Sequence, residues 1–173
     1  MHIPTHLLSG WCVANCFTLT RRERLLCMLA GTIADVDGVG FFFGEEMYWR
    51  FHHIVGHNLL VGVLFSGAAA IVSTHRAKAF GLYLAIFHLH LLMDYFGSGA
   101  NWKIHYWWPF DDRGYLTEHA WELMSWQNYL AAGLLLAWTI GIARWQRRTP
   151  LEAVAPRLDE AVVRRVKPNE PEA

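Results

Sequence analysis

Apolar runs punctuated by Gly, Pro and charge divide the chain into five candidate helices, at about 7–19, 23–35, 58–73, 77–96 and 118–146. The fourth and fifth reach the ~20 residues that cross a bilayer, and the third is marginal. The first two are shorter and carry Asn15 and Asp35. They are expected to pack half-buried on the spanning helices or to cross a locally thinned bilayer. Beyond Thr149, Pro150, Pro156, Pro168 and Pro171 are mixed with charges of both signs, which predicts a solvated, weakly ordered tail over 150–173. Residues 1–149 then form one membrane-embedded, all-α helix bundle.

Composition agrees with a membrane setting: 54% of residues are hydrophobic, 17% are charged, and the mean hydropathy is +0.17. Lys+Arg and Asp+Glu are equal at 15 each, so no positive excess exists to neutralise a nucleic-acid backbone, and DNA and RNA are excluded as partners. Cys12, Cys16 and Cys27 lie in apolar stretches without zinc-ribbon spacing and read as free thiols. The first twenty residues lack the pattern of a cleavable signal peptide. Arg21, Arg22 and Arg24 follow the first helix, Arg76 and Lys78 separate the third from the fourth, and Arg144, Arg147 and Arg148 end the fifth. If direction alternates, all three clusters share one end, which the positive-inside rule assigns to the cytoplasm of a multi-pass inner-membrane protein.

The opposite end collects the chemistry. His6 opens the first helix, Asp35 and Asp37 close the second, His52, His53 and His57 precede the third, and His90 and Asp94 occupy the last turns of the fourth. Imidazole and carboxylate without thiolate form the ligand set of zinc, manganese and iron sites. His90 and Asp94, at i and i+4, share a helix face. His88 lies off that face and reads as a hydrogen-bonded core residue. His6, Asp35, Asp37, His52, His57, His90 and Asp94 are therefore the expected ligands of one to three divalent ions, Zn or Mn, with His53, His119 and Glu122 as additional candidates. His105 is a weaker candidate, and Asp111 and Asp112 read as solvated turn residues. Trp102, Tyr106, Trp107 and Trp108 read as an interfacial aromatic belt.

These residues, in their order, resemble the membrane-bound metal-dependent hydrolases of bacterial and archaeal inner membranes, a family similar to zinc-dependent phospholipase C. The resemblance runs from about residue 4 to 110. It rests on Thr5-His6, Ala34-Asp35-Val36-Asp37, His52-His53-Ile54-Val55-Gly56-His57-Asn58, His90-Leu91-Leu92-Met93-Asp94 with Ser98-Gly99, and Trp108-Pro109-Phe110. His53 stands where that family usually has Arg, Gly56 where it has Thr, Asn58 where it has Ser, and Ala34 where it has Pro. Loss of the Arg removes a bidentate phosphate contact that imidazole cannot copy.

The resemblance implies hydrolysis of a phosphoester or lipid-linked phosphate by metal-activated water, with Asp37 or Asp94 as general base. The expected partners are membrane lipid and that substrate. Two other classes fit the same residues. One is a non-catalytic metal-binding scaffold or regulator. The other is a small transporter, which would need polar groups spread through the membrane depth rather than gathered at one end.

Overall fold

The computed structural model describes residues 1–166. The chain forms α1 (Ile3–Ala14), α2 (Arg21–Ala30), a 3₁₀ segment (Ile33–Phe43), α3 (Glu45–Phe51), α4 (Leu59–Ile71), α5 (Arg76–Gly97), α6 (Trp126–Gln146), a 3₁₀ turn (Pro150–Ala153) and α7 (Pro156–Val166). Among the described residues there is no β-strand, only an isolated bridge between Ile104 and Tyr115, so the fold is all-α.

Local chemistry accounts for the helix starts. Pro4 sits in the first turn of α1, where its missing N–H costs nothing. Thr20 and Glu23 form a capping box at α2: Thr20 Oγ1 accepts from the Glu23 amide at 3.2 Å, and Glu23 Oε2 accepts from the Thr20 amide at 2.8 Å. The other Glu23 oxygen accepts from the Thr74 amide at 2.8 Å, which fastens α2 to the turn between α4 and α5. Asn58 caps α4 by accepting from the Val61 amide at 3.0 Å.

Four boundaries differ from the sequence reading, the first helix running Ile3–Ala14 rather than 7–19. The second helix stops at Ala30 rather than near Asp35. The chain then bends by 55° into the 3₁₀ segment, which holds both Asp35 and Asp37. Residues 38–57, expected as a loop, contain the rest of that segment and α3. The fifth helix starts at Trp126, which leaves His119 and Glu122 in irregular chain. Asn128 explains the start. Its amide donates to the carbonyls of Gly97 and Leu123, both at 2.8 Å, and its Oδ1 accepts from Trp121 Nε1 at 2.7 Å, tying α6 to the end of α5.

The tail is ordered where weak order was expected, at least through Val166. Arg24, nearly buried on α2, donates from Nη2 to Glu152 Oε2 at 3.0 Å, and Asp159 accepts from both the amide and the hydroxyl of Thr149 at 2.6 Å. Buried charge pairing of this kind holds a short amphipathic helix that its prolines alone would not predict. Residues 167–173 of the expected tail lie outside the described residues.

α1 packs against α2, α5 and α6, and α4 pairs with α5. At the α1–α2 crossing, a Cβ on Gly10 would meet the Cys27 carbonyl oxygen at 2.4 Å, so the close approach depends on glycine. α5, 22 residues long, is the one described helix both long and apolar enough to cross a bilayer, and α2 with the 3₁₀ segment passes the same test as a bent pair. α6 matches α5 in length, but Gln127, Asn128 and Arg144 dilute its apolar character. The surface is nonetheless apolar: Leu134 on α6 is 63% exposed, Trp145 83% and Leu64 on α4 62%. His6, His57, His90, Asn58 and Asn128 are instead fully buried. Polar groups inside and aliphatic groups outside suit a lipid solvent.

Gly10→Ala is expected to destabilise the fold by about 1–3 kcal/mol through overpacking at the α1–α2 crossing. Gly67→Ala, where a Cβ would meet nothing within 4 Å, should be close to neutral. Thermal unfolding of the two variants in detergent measures the contrast.

Candidate metal centre

Every element of the non-basic end supplies the cluster. His6 comes from α1, Asp35 and Asp37 from the 3₁₀ segment, His52, His53 and His57 from the chain joining α3 to α4, and His90 and Asp94 from α5. The bend after α2 exposes a backbone carbonyl at Gly31, which accepts from His90 Nδ1 at 2.7 Å. Since a carbonyl only accepts, this bond places the His90 proton on Nδ1 and leaves Nε2 as a lone pair. Asp37 does the same for two more rings: His52 Nδ1 donates to its Oδ1 at 2.7 Å and His57 Nδ1 to its Oδ2 at 3.0 Å. The Gly56 amide also donates to Oδ2 at 2.9 Å. That bond requires a glycine, because a Cβ on Gly56 would lie 1.9 Å from the Ala34 carbonyl oxygen.

The consequence is a convergence of acceptors. The Nε2 atoms of His57 and His90 are 3.1 Å apart, and Asp94 Oδ2 is 3.2 Å from the first and 3.0 Å from the second. Asp35 Oδ1 stands 3.9 and 3.8 Å from the same two nitrogens. With both rings neutral, no donor stands among these atoms. Such an arrangement requires positive charge at its centre. His57 records this demand. Burial opposes its charge, but hydrogen bonds to Asp37 and Asp94 outweigh burial and lift its pKa to about 9. A divalent cation satisfies the same demand with lone pairs already aimed, so the donor set fits one. His6, Asp35, His90 and Asp94 each offer a ligand atom within 4.8 Å of one another, and so do His52, His53 and His57.

Asp94 is the hub. Its Oδ1 lies 3.0 Å from His6 Nε2 and accepts from Ser98 Oγ at 2.9 Å, and the α-amino group of Met1 lies against it. His53 reaches the hub at 3.9 Å from a left-handed backbone, φ 67°, that non-glycine residues seldom adopt. Burial, then the neighbouring His57, push its pKa well below the ordinary value.

The structure thus brings together His6, Asp35, Asp37, His52, His57, His90 and Asp94, with His53 beside them. His119 and Glu122 stand apart: both are exposed, and the Glu122 carboxylate packs over Gly99. The His105 ring pairs with Asp112 at 3.3 Å, while its backbone amide donates to the His53 carbonyl at 3.3 Å. His88 Nδ1 donates to the Leu84 carbonyl at 2.7 Å, which fixes the proton there and leaves Nε2 to accept from the Tyr106 hydroxyl at 2.9 Å. Sequence reasoning missed the Gly31 carbonyl, which no side chain announces, and Tyr48, stacked on His52 at 4.6 Å, which the unrecognised α3 carries.

Over the cluster lies a cavity of about 530 Å³ whose walls include Asp35, His52, His53 and Asp94 together with Val39 and Phe42.

A model of the YdjM inner membrane protein family matches residues 1–158. The chain belongs to this family. No curated protein and no solved structure matches it. Membership accords with the apolar exterior and with α5 as a span, and it makes the protein one of the inner membrane. Within that family setting the buried cluster and its cavity are the features of this chain that carry chemistry.

His90→Ala and Asp94→Ala are each expected to lower bound metal, measured by elemental analysis of purified protein, whereas His88→Ala should leave it at the wild-type value. Calorimetric titration of metal in two buffers of different ionisation enthalpy should show release of about one proton per ion, since the ion replaces the proton on His57.

Proposed function

We propose that the protein is a membrane-bound, metal-dependent hydrolase acting on a phosphoester or lipid-linked phosphate. The observation that carries this reading is the convergence of His57, His90, Asp35 and Asp94 acceptors beneath an open cavity. A structural ion would need the same lone pairs but no cavity over them. Zn²⁺ or Mn²⁺ suits the imidazole and carboxylate donors, and two adjacent groups of candidate ligands accommodate more than one ion. When bound, such an ion supplies Lewis acidity that makes water a nucleophile near neutral pH and offsets charge developing on the phosphoryl oxygens.

The chain's own residues divide the remaining work. Both Asp37 oxygens already accept hydrogen bonds, so Asp37 positions His52 and His57 and is not free to take a proton. Asp35 is better placed as general base: its Oδ2 has no hydrogen-bond partner and the residue lines the cavity. Asp94, which lines the same cavity, holds His6, His57 and His90 in register. The chain has neither a His-Glu-x-x-His helix nor a Gly-x-Ser-x-Gly elbow, which favours phosphorus over a peptide or ester carbonyl.

One observation supports the alternative of a non-catalytic metal-binding scaffold or regulator. His53 occupies the cavity wall where the resembled hydrolases carry Arg, so no guanidinium grips a phosphate there. Slow turnover follows on the hydrolase reading.

Protein loaded with Mn²⁺ or Zn²⁺ is expected to cleave phospholipid or lipid phosphate substrates in mixed micelles, and chelation should abolish the activity. Asp35→Asn at saturating Mn²⁺ should lower kcat by ~10²-fold or more. Metal-loaded wild-type protein that cleaves no phosphoester would move the assignment to the scaffold. The three basic clusters further orient the metal end away from the cytoplasm. In intact cells an impermeant thiol reagent should then label Asn101→Cys but not Glu160→Cys, and the reverse pattern would invert the orientation.

A further inference from the structure

Phe41, Phe42 and Phe43 end the 3₁₀ segment and are 68%, 83% and 72% exposed. Successive residues of a 3₁₀ turn point about 120° apart, so three in a row cannot all be buried by one protein face. Only surroundings that are apolar on several sides accommodate them. Met47 and Trp49 on α3 extend the patch, at 40% and 56% exposure. The patch is also continuous with the site. Phe42 lines the cavity beside Val39 and Tyr48, while Phe41 meets Tyr48 edge to face. Tyr48 in turn stacks on His52.

The cavity walls contain no lysine or arginine among the described residues. A small dissolved anion would find no cationic side chain there. An amphiphile would find apolar wall leading from the patch to the His/Asp cluster. In a protein of the inner membrane the occupant that matches both features is the acyl region of the phospholipid bilayer.

We propose that Phe41, Phe42 and Phe43 form a lip that dips among the acyl chains of the membrane, so that the cavity is entered sideways by a phosphoester-bearing lipid whose tail rests on Val39 and Phe42. This rests on the hydrolase reading for the substrate, but the lip itself does not. The Glu45 and Glu46 carboxylates that follow Gly44 stay on the aqueous side of the lip, and Gly44, at φ 114°, supplies the backbone reversal between the two.

The test uses full-length protein in phosphatidylethanolamine and phosphatidylglycerol vesicles, with a nitroxide attached at Phe43→Cys in a Cys16→Ser background. Cys12 and Cys27 are buried and do not compete. The expected result is a collision rate with oxygen several-fold above that with a water-soluble nickel chelate. A higher nickel rate would place the lip in water and overturn the proposal. Low rates with both, accompanied by dipolar broadening between labels, would show that a second copy covers the lip and would also overturn it. Metal content at the wild-type value certifies the fold, and Phe41→Cys repeats the measurement if the first variant loses metal.

In the activity arm, Phe41→Ser combined with Phe43→Ser should raise KM for a long-chain phospholipid in vesicles about tenfold. KM for water-soluble bis(4-nitrophenyl) phosphate should not follow. Equal rises for both would overturn lateral entry. A label at acyl depth in protein that cleaves neither probe would defeat the hydrolase reading and leave the lip standing.

Discussion

A knot of ring nitrogens and carboxylate oxygens that calls for positive charge at its centre is the constraint on which this structure depends. Two ring nitrogens and two carboxylate oxygens meet in the buried interior, and electrostatics there tolerates them only around positive charge, whether a proton on His57 or a cation. Much of the surrounding architecture serves that meeting. Gly56 lets its own amide reach Asp37, His53 accepts a left-handed backbone, and the helix begun at Arg21 ends early so that Gly31 can offer a bare carbonyl. These local costs are of the kind that a packed core would remove if the site were only structural.

The parts of the site that announce themselves by residue type were legible in the chain. Imidazoles and carboxylates at His6, Asp35, Asp37, His52, His57, His90 and Asp94 stand out in an apolar sequence, and helical spacing places His90 with Asp94. What was not legible depended on backbone. Nothing in Gly31-Thr32 says that α2 must bend there, because the residues on either side continue an apolar pattern. Residues 33–35 read as the end of the second helix and 38–43 as loop, yet repeated turns of the backbone hold 33–43 as a 3₁₀ segment. His119 and Glu122 looked like helix residues at the right end of the bundle. They stand apart because Asn128, rather than Glu118, sets where α6 begins.

The tail teaches the complementary lesson. Prolines and mixed charge describe a segment that cannot bury much apolar surface, and disorder is the ordinary outcome. Here two carboxylates, Glu152 and Asp159, find buried partners in Arg24, 128 residues away, and in Thr149, 10 residues away, so the order comes from specific pairing that composition does not encode.

The bent pair has a consequence for how the site and the membrane communicate. Because Gly31 is both the elbow of a broken helix and the group that sets the His90 tautomer, elbow angle and ligand geometry are one variable. Straightening the elbow would reclaim the carbonyl for helical hydrogen bonding and release the ring to turn. Reciprocity then requires that an ion gripping His90 stiffen the elbow by the same free energy with which the straight form would expel it. Were an ion held there, bilayer thickness, which acts on tilted and broken segments, would enter its affinity as a mechanical load.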